Sequence, residues 1–253
     1  MEKIPKSHPR YTSLVTREKL VEGVKSGVTA IQGLIAHGRG EAFDYILGEK
    51  TRDFALKAER AAVALMLLAK HPVISVNGNT AVLVPEETKR LAELVNAKIE
   101  INVFHHSSER VEKIKNYLEK YGMEVLAAGD AELEGLESAR RIVDSRGILV
   151  ADVVLVPLED GDRCEILKRH GKKVIAVDLN PLSRTARMAD ITIVDNIIRA
   201  FPKMVEIAEE MRGWEKKRLR EIVENYNNSE VLAEAVEEIV GYLKKVKEEM
   251  LSP

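Results

Sequence analysis

Lys173-Val174-Ile175-Ala176-Val177-Asp178-Leu179-Asn180-Pro181-Leu182-Ser183-Arg184-Thr185 passes within a few residues from an unbroken apolar run to an acid, an amide, a proline and two hydroxyls. The apolar half reads as a strand buried on both faces, and the polar half as a turn that opens a helix. The same alternation repeats around it. Apolar runs at Val73 to Val76, Lys98 to Phe104, Met123 to Ala127, Asp152 to Val156 and Asp190 to Val194 are separated by helical stretches. Those stretches are Pro85 to Asn96, Ser107 to Tyr121, Glu134 to Val143 and Glu159 to His170. Strand then helix, repeated, predicts a Rossmann-like α/β domain over residues 71–212, a mostly parallel sheet with helices on both faces.

Residues 1–70 read as a helical N-terminal segment packed on that core. Leu20, Val24, Val28, Ile31 and Ile35 share one helix face. A second helix spans Arg52 to Lys70, and its end, Ala61 to Ala69, is apolar all round and therefore buried. Pro202 is placed in the first turn of a helix ending near Gly213. Residues 213–253 form a helical tail, whose stripe Leu232, Ala235, Ile239, Tyr242 and Val246 packs on the same chain or on a second subunit.

The chain has 253 residues, 39 basic against 41 acidic side chains, a net charge of −2 and 45% apolar residues. That balance describes a folded globular protein and excludes a disordered chain. It also argues against a dedicated nucleic-acid binder, while leaving room for local phosphate pockets. The single cysteine, Cys164, fits a reducing compartment. No stretch reads as a signal peptide, and Ala61 to Ala69 is too short to cross a bilayer, so the expectation is a cytoplasmic protein. The lone glutamine, Gln32, among many Lys, Glu and Arg suggests a thermophilic source, an expectation that a melting temperature in the mesophile range would contradict.

In open parallel sheets ligands bind beyond the carboxyl ends of the strands, where helix N-termini offer free N–H groups. Here those ends are polar: Asn77-Gly78-Asn79-Thr80, His105-His106-Ser107-Ser108, Asp178-Leu179-Asn180 and Asp195-Asn196. Each alone is better explained as a helix cap, but four of them converge on one crevice. Asp178 suits ribose hydroxyls, and Arg184 with Thr185 suits phosphate oxygens. Gly38-Arg39-Gly40-Glu41-Ala42-Phe43 starts like a dinucleotide fingerprint but has Phe43 at the third glycine and follows a helix. It reads either as a helix C-cap at Gly38 or as a flexible basic loop carrying Arg39. No phosphate-binding GK[ST] loop, nucleophile elbow, Ser/His/Asp triad or zinc ligand set is present, and no side-chain metal site is expected. Ile4-Pro5-Lys6-Ser7-His8-Pro9-Arg10-Tyr11 is either a solvated tail or a cationic arm.

That N-terminal run, Gln32-Gly33-Leu34-Ile35-Ala36-His37-Gly38-Arg39-Gly40-Glu41-Ala42-Phe43-Asp44-Tyr45, Asp178 to Ala186 and Asp195-Asn196-Ile197 together resemble archaeal phosphopantothenate synthetases over nearly the whole chain. The resemblance implies a cytosolic, Mg²⁺-dependent homodimer that joins 4-phosphopantoate to β-alanine in coenzyme A synthesis, converting ATP to AMP and pyrophosphate. It implies ATP contacts at Arg17, Arg39, Asp178, Leu179, Asn180, Arg184, Thr185, Asn196 and Ile197. Asp178 and Asn180 would meet the ribose, Asn196 and Ile197 the adenine, and Arg39, Arg184 and Thr185 the phosphates, with Arg39 and Arg184 stabilising transition-state charge. An acyl-adenylate route needs no covalent nucleophile, in keeping with the missing triad. It does need cations, so Lys6, Arg10, Arg17, Arg39 and Arg184 are expected to converge. His8, Asn77, His105, Ser107 and Ser108 are further substrate contacts for which a purely structural role serves equally. Two other readings remain open: a non-catalytic nucleotide sensor, and a related ligase with another acid or amine.

Overall fold

The protein was analysed as a computed structural model that describes residues 4–104, 107–158 and 161–252. Strands β1 (Pro72–Val76) and β2 (Lys98–Ile101), a short antiparallel pair β3 (Ala131–Glu132) and β4 (Ile142–Val143), and strands β5 (Val153–Pro157), β6 (Lys173–Val177) and β7 (Ile191–Ile193) follow in chain order. β2-β1-β5-β6-β7 form one parallel sheet. The strands are apolar throughout because both faces are covered. Ile74, Val76, Val153, Leu155, Ile175 and Val177 enter one core, while Val73, Val154, Val156, Val174 and Ala176, alternating with them, enter another.

The larger core takes helices α1 (Tyr11–Lys25), α3 (Asp53–Leu68), α4 (Gly78–Leu83), α5 (Pro85–Val95), α6 (Ser108–Glu119), α9 (Ile197–Met211), α10 (Lys216–Glu224) and the start of α11 (Asn228–Leu251). The smaller one takes α7 (Gly161–Arg169) and Leu133, Leu136, Val143 and Ile148. α3 contributes Ala61, Ala62, Val63, Ala64 and Met66, all fully buried, as its all-round apolarity requires. No helix of the described residues is long and apolar enough to cross a membrane.

One helix decides where the site lies. α2 (Ile31–Leu47) crosses the carboxyl edge of the sheet. Gly33 lies against Asn79 after β1, Gly40 against Leu179 after β6, and Asp44 bonds Asn196 after β7. The glycines permit this approach: a Cβ on Gly33 would sit 2.3 Å from the Asn79 Oδ1, and one on Gly40 would sit 3.4 Å from Leu179. The helix ends at Gly48, whose φ of 89° supplies the left-handed cap.

Five expectations need correction. Leu20 to Ile35 is not one helix: α1 stops at Lys25, and α2 starts at Ile31 with Ile31 and Ile35 exposed. The break buries Val28, and the Thr29 hydroxyl donates to the Gly78 carbonyl at 3.2 Å, a tertiary contact stronger than helix periodicity. Gly38 is neither a cap nor part of a loop, because Gly38-Arg39-Gly40 continues α2. Residues 123–127 make a single parallel bridge, Glu100 with Leu126. The helix expected over 134–143 is instead a turn, the short 3₁₀ helix Ala139–Arg141 and β4, because Gly135 adopts a φ of 85° and the buried Glu100 carboxylate accepts from the Asp144 and Ile148 N–H groups. Finally, α9 begins at Ile197, so Pro202 lies inside it and leaves the Ile198 carbonyl without an in-helix donor.

Candidate functional site

β1 leads leftward to β2, whereas its neighbour β5 leads rightward to β6, so the order of connections reverses between β1 and β5. At such a switch point the following helices diverge and leave a crevice. A cleft of about 230 Å³ occupies it, bounded by α2, the Asn77–Asn79 turn, Phe104 and Leu158. Asn77 is structural: its Oδ1 accepts from the Thr80 N–H at 3.0 Å, and its Nδ2 donates to the Pro157 carbonyl at 2.9 Å, tying β1 to β5. Leu158 leaves β5 with a φ of 54°, a left-handed conformation that a branched aliphatic residue adopts only under local constraint.

Three arginines line this cleft: Arg39 from α2, Arg110 from the first turn of α6, and Arg140 from the turn before β4. Arg39 has no hydrogen-bond or ion-pair partner among the described residues. A Cβ on Gly78 would lie 3.1 Å from Arg110 Nη2, so the guanidinium rests against bare backbone. Arg140 is only 6% exposed. Asn102 clasps it, its carbonyl accepting from Arg140 Nη1 at 3.3 Å while its side-chain Nδ2 donates to the carbonyls of Arg140 and Ile142 at 3.2 and 3.0 Å. Burial, and after it the charge of Arg140, weakens the hold of Arg110 on its proton.

Beyond Phe104, which borders both, a second cleft of about 710 Å³ lies against α7. It carries Arg163, Arg169 and Arg184 mixed with Glu137, Asp162 and Glu165. Arg184 is ion-paired with Asp162 and Glu165, and Gly161 makes room for its stem. Beside it, the Asp178 carboxylate accepts from the Asn180 N–H at 2.9 Å and from the Ser183 hydroxyl. Burial pushes the Asp178 carboxyl up, against the pull of Ser183, the Asn180 N–H and Arg39. Ser183 caps α8 (Arg184–Met188), and Thr185 is buried in its first turn.

At the end of β7 the charges are saturated. Arg199 reaches Asp44 at 2.6 Å and Asp195 at 2.5 Å, Thr51 donates to Asp195 at 2.6 Å, and Asn196 donates to Asp44 at 2.8 Å. The Asn196 side chain also caps α9, whose first residue is the buried Ile197. Arg17 pairs with Glu41 on α2 at 3.1 Å. On the buried face of α2, burial pushes the His37 imidazole down from its ordinary value, outweighing the opposite pull of Glu41.

The expected cations therefore divide. Arg39 faces the first cleft, Arg184 the second, and Arg17 the flank of α2, whereas Lys6, His8 and Arg10 are exposed and line neither cleft. Ser107 caps α6 by accepting from the Arg110 N–H at 3.2 Å, and Ser108 is exposed. His105 lies outside the described residues. Sequence reasoning missed Arg110, Arg140 and Asn102, which positions Arg140. Ser107 followed three residues later by Arg110 was the available signal, while Arg140 was hidden inside the helix expected there. A third hollow, about 650 Å³ between α3, α10 and α11, lies away from the strand ends, and its cations are engaged: Lys57 with Glu234, Arg60 with Glu210, and Arg218 on the Trp214 ring. No group of three or more His, Cys, Asp or Glu gathers as a metal site among the described residues.

Comparison with known proteins gives the family. Residues 54–242 match the family described as phosphopantothenate/pantothenate synthetase. A protein of Thermococcus kodakarensis is 57% identical over 98% of this chain and 97% of its own length. One of Thermococcus onnurineus is 56% identical over 98% and 96%, and one of Methanosarcina mazei is 53% identical over 98% and 99%. All three are named 4-phosphopantoate–β-alanine ligase.

Proposed function

The chain belongs to the phosphopantothenate/pantothenate synthetase family, and from that membership we propose that it is a ligase joining 4-phosphopantoate to β-alanine in coenzyme A synthesis. The observation that supports this in the molecule is the arginine-lined cleft at the switch point of the sheet, beside a larger one against α7. A carboxylate is a poor electrophile, so ATP activates it. The pantoate carboxylate oxygen attacks the α-phosphorus, a P–O bond forms, and pyrophosphate leaves with the electron pair of the bond that breaks. The amine of β-alanine then attacks the acyl carbon of the adenylate. A C–N bond forms, AMP leaves with the C–O pair, and the nitrogen sheds a proton to water.

Arg39 faces the α-phosphate and stabilises the charge that builds there. Arg184 exchanges its pairing with Asp162 and Glu165 for phosphate oxygens, with Thr185 beside it. The Asp178 and Asn180 turn meets the ribose, and the Asn196–Ile197 start of α9 lies toward the adenine, where backbone makes the contact because the Asn196 amide is already bonded to Asp44. Arg17 orders the outer face of α2 through Glu41. Lys6, His8 and Arg10 remain candidates for contacting the acid once it is bound. Bringing the three reactants together in one oriented array supplies much of the rate. This chain's side chains do not form a dedicated Mg²⁺ cage among the described residues, so the ion would arrive on the phosphates of ATP, where it neutralises their charge. The protein works in the cytoplasm as a homodimer. α2 and α11 pack together and leave Ile31, Ile35, Tyr45, Val240 and Leu243 exposed, apolar surface suited to a second copy.

Incubation with ATP, 4-phosphopantoate and β-alanine should release AMP and pyrophosphate in equal amounts, dependent on both co-substrates. ATP binding without AMP would favour a sensor, and turnover only with another acid would favour a relative of different specificity.

A further inference from the structure

We propose that Glu100, which lines neither cleft, is a positioning residue for the reaction: its carboxylate fixes the segment 128–148, and that one segment supplies part of the wall of both clefts. This rests on the ligase reading for its activity assay and on the geometry at the end of β2 for everything else.

Residues 128–148 follow the bridge between Glu100 and Leu126. They carry Leu136 and Glu137 to the cleft beside α7 and Arg140 to the switch-point cleft. The base of the segment is stitched to itself. Asp144 accepts from the Ala128 N–H at 3.1 Å, and Asp130 accepts from the Ser145 N–H at 2.8 Å. Leu133, Val143 and Ile148 pack it on the smaller core. Such packing holds the segment down but does not set its exact place, because apolar contact is non-directional. Direction comes from two polar side chains at the end of β2. Asn102 donates to the carbonyls of Arg140 and Ile142. Glu100, 1% exposed, accepts from the Asp144 N–H at 3.0 Å and from the Ile148 N–H at 2.5 Å.

The clasp needs a carboxylate. Both partners donate, so both oxygens must accept, and a glutamine would turn its NH₂ toward one of them. Gly147 permits the approach, since a Cβ there would collide with Glu100 Oε2. Burial pushes the Glu100 carboxyl up to about 7, against the pull of the two N–H groups and of Arg163 on α7, while Asp144 acts in the same sense as burial. Lys172, just before β6, is the remaining charge that senses it: burial weakens the hold of Lys172 on its proton, and Glu100 strengthens it. Two opposite linkages follow. Unfolding solvates the carboxyl and returns it toward 4.5, so a proton favours the fold. That stability is complete below 4.5 and is lost as pH rises through about 7. Slipping the segment off the two N–H bonds, with the carboxyl still buried, removes what pulls it down, so a proton favours the slipped position. Acid firms the fold and loosens the cleft walls.

The test is Glu100→Gln, assayed beside wild type from pH 6 to pH 8, so that titration of the substrates' own phosphates cancels in the ratio. At pH 8 the variant should lose kcat/KM for ATP and for 4-phosphopantoate together, each on the order of 10-fold for one displaced bond. Its melting temperature should stay within about 4 °C of wild type. The wild-type advantage should shrink toward pH 6, as wild type takes up the proton. A loss confined to one substrate, an advantage independent of pH, or a melting temperature that falls in step with activity overturns the positioning role. Should the variant not fold, wild type decides by amide NMR. The Asp144 and Ile148 N–H signals should titrate with a common midpoint near 7, and those of Glu137 and Arg140 should follow. Signals of 137 and 140 that stay still overturn it as well. A wild type that titrates in this way but forms no product sinks the ligase reading and leaves the clasp standing.

Discussion

The two ends that α2 connects treat arginine in opposite ways. At β7, Arg199 is shared by two buried carboxylates, one of which also accepts from the Asn196 amide, a closed set that pins the helix. At the switch point, Arg39 has no partner among the described residues and shares its cleft with two more arginines. Arg184 lies between these extremes, exposed but ion-paired. The difference teaches that an arginine's role is read from its neighbours. A saturated guanidinium is an anchor, while one with bare surroundings is available to an anion.

The largest effect should fall on the unpaired cation. Arg39→Ala is expected to lower kcat/KM by roughly 10²- to 10³-fold, as removal of a charge-stabilising donor does, with no change in melting temperature. Arg184→Ala, measured beside it, should cost only about tenfold, because Asp162 and Glu165 already draw on that charge. Equal losses in steady-state assays would break the comparison.

The anchor predicts the reverse, a loss of stability more than of chemistry. Asp44 and Asp195 have side-chain exposures of 7% and 1%. Arg199→Ala leaves both without their cation, so denaturant unfolding should show a loss of roughly 3–5 kcal/mol. Adding Asp44→Asn to that variant should restore part of it by removing one stranded charge. A single Arg199→Ala variant as stable as wild type would show that α2 is held by packing alone.

The contrast explains what could be read beforehand. The parallel sheet was legible because Val154 to Val156 and Val174 to Val177 are apolar on both faces, which only a covered sheet tolerates. The polar strand ends were legible as well, but their division into caps and ligand contacts was not. Asn77, Ser107, Ser183 and Asn196 all accept from a helix N–H, as their residue types allow. Arg140 was out of reach because its position depends on Asn102, 38 residues earlier in the chain, and no local pattern encodes that clasp. The continuation of α2 through Gly38-Arg39-Gly40 was hidden for a related reason. Those glycines disfavour a helix locally, and Gly40 is accommodated because α2 must pass close to Leu179.

The smallest effect tests the charge count at the anchored end. Glu59 of α3 is fully buried, and neither carboxylate oxygen has a hydrogen-bond partner among the described residues. Its carboxyl is pushed from 4.5 up to about 9, first by burial and then by Asp195, with Lys203 and Arg199 pulling the other way. With Asp44 and Asp195 already claiming Arg199, a third carboxyl there stays protonated. The folded state therefore holds a proton between pH 4.5 and about 9 that the unfolded chain releases. Stability from this group is complete below about 4.5 and declines as pH rises toward 9. Glu59→Gln keeps the shape and removes the titration. Its melting temperature should match wild type near pH 5 and exceed it by a margin that widens toward pH 9. A margin constant across that range would mean that Glu59 ionises normally in the fold, and that the acidic end has cations to spare.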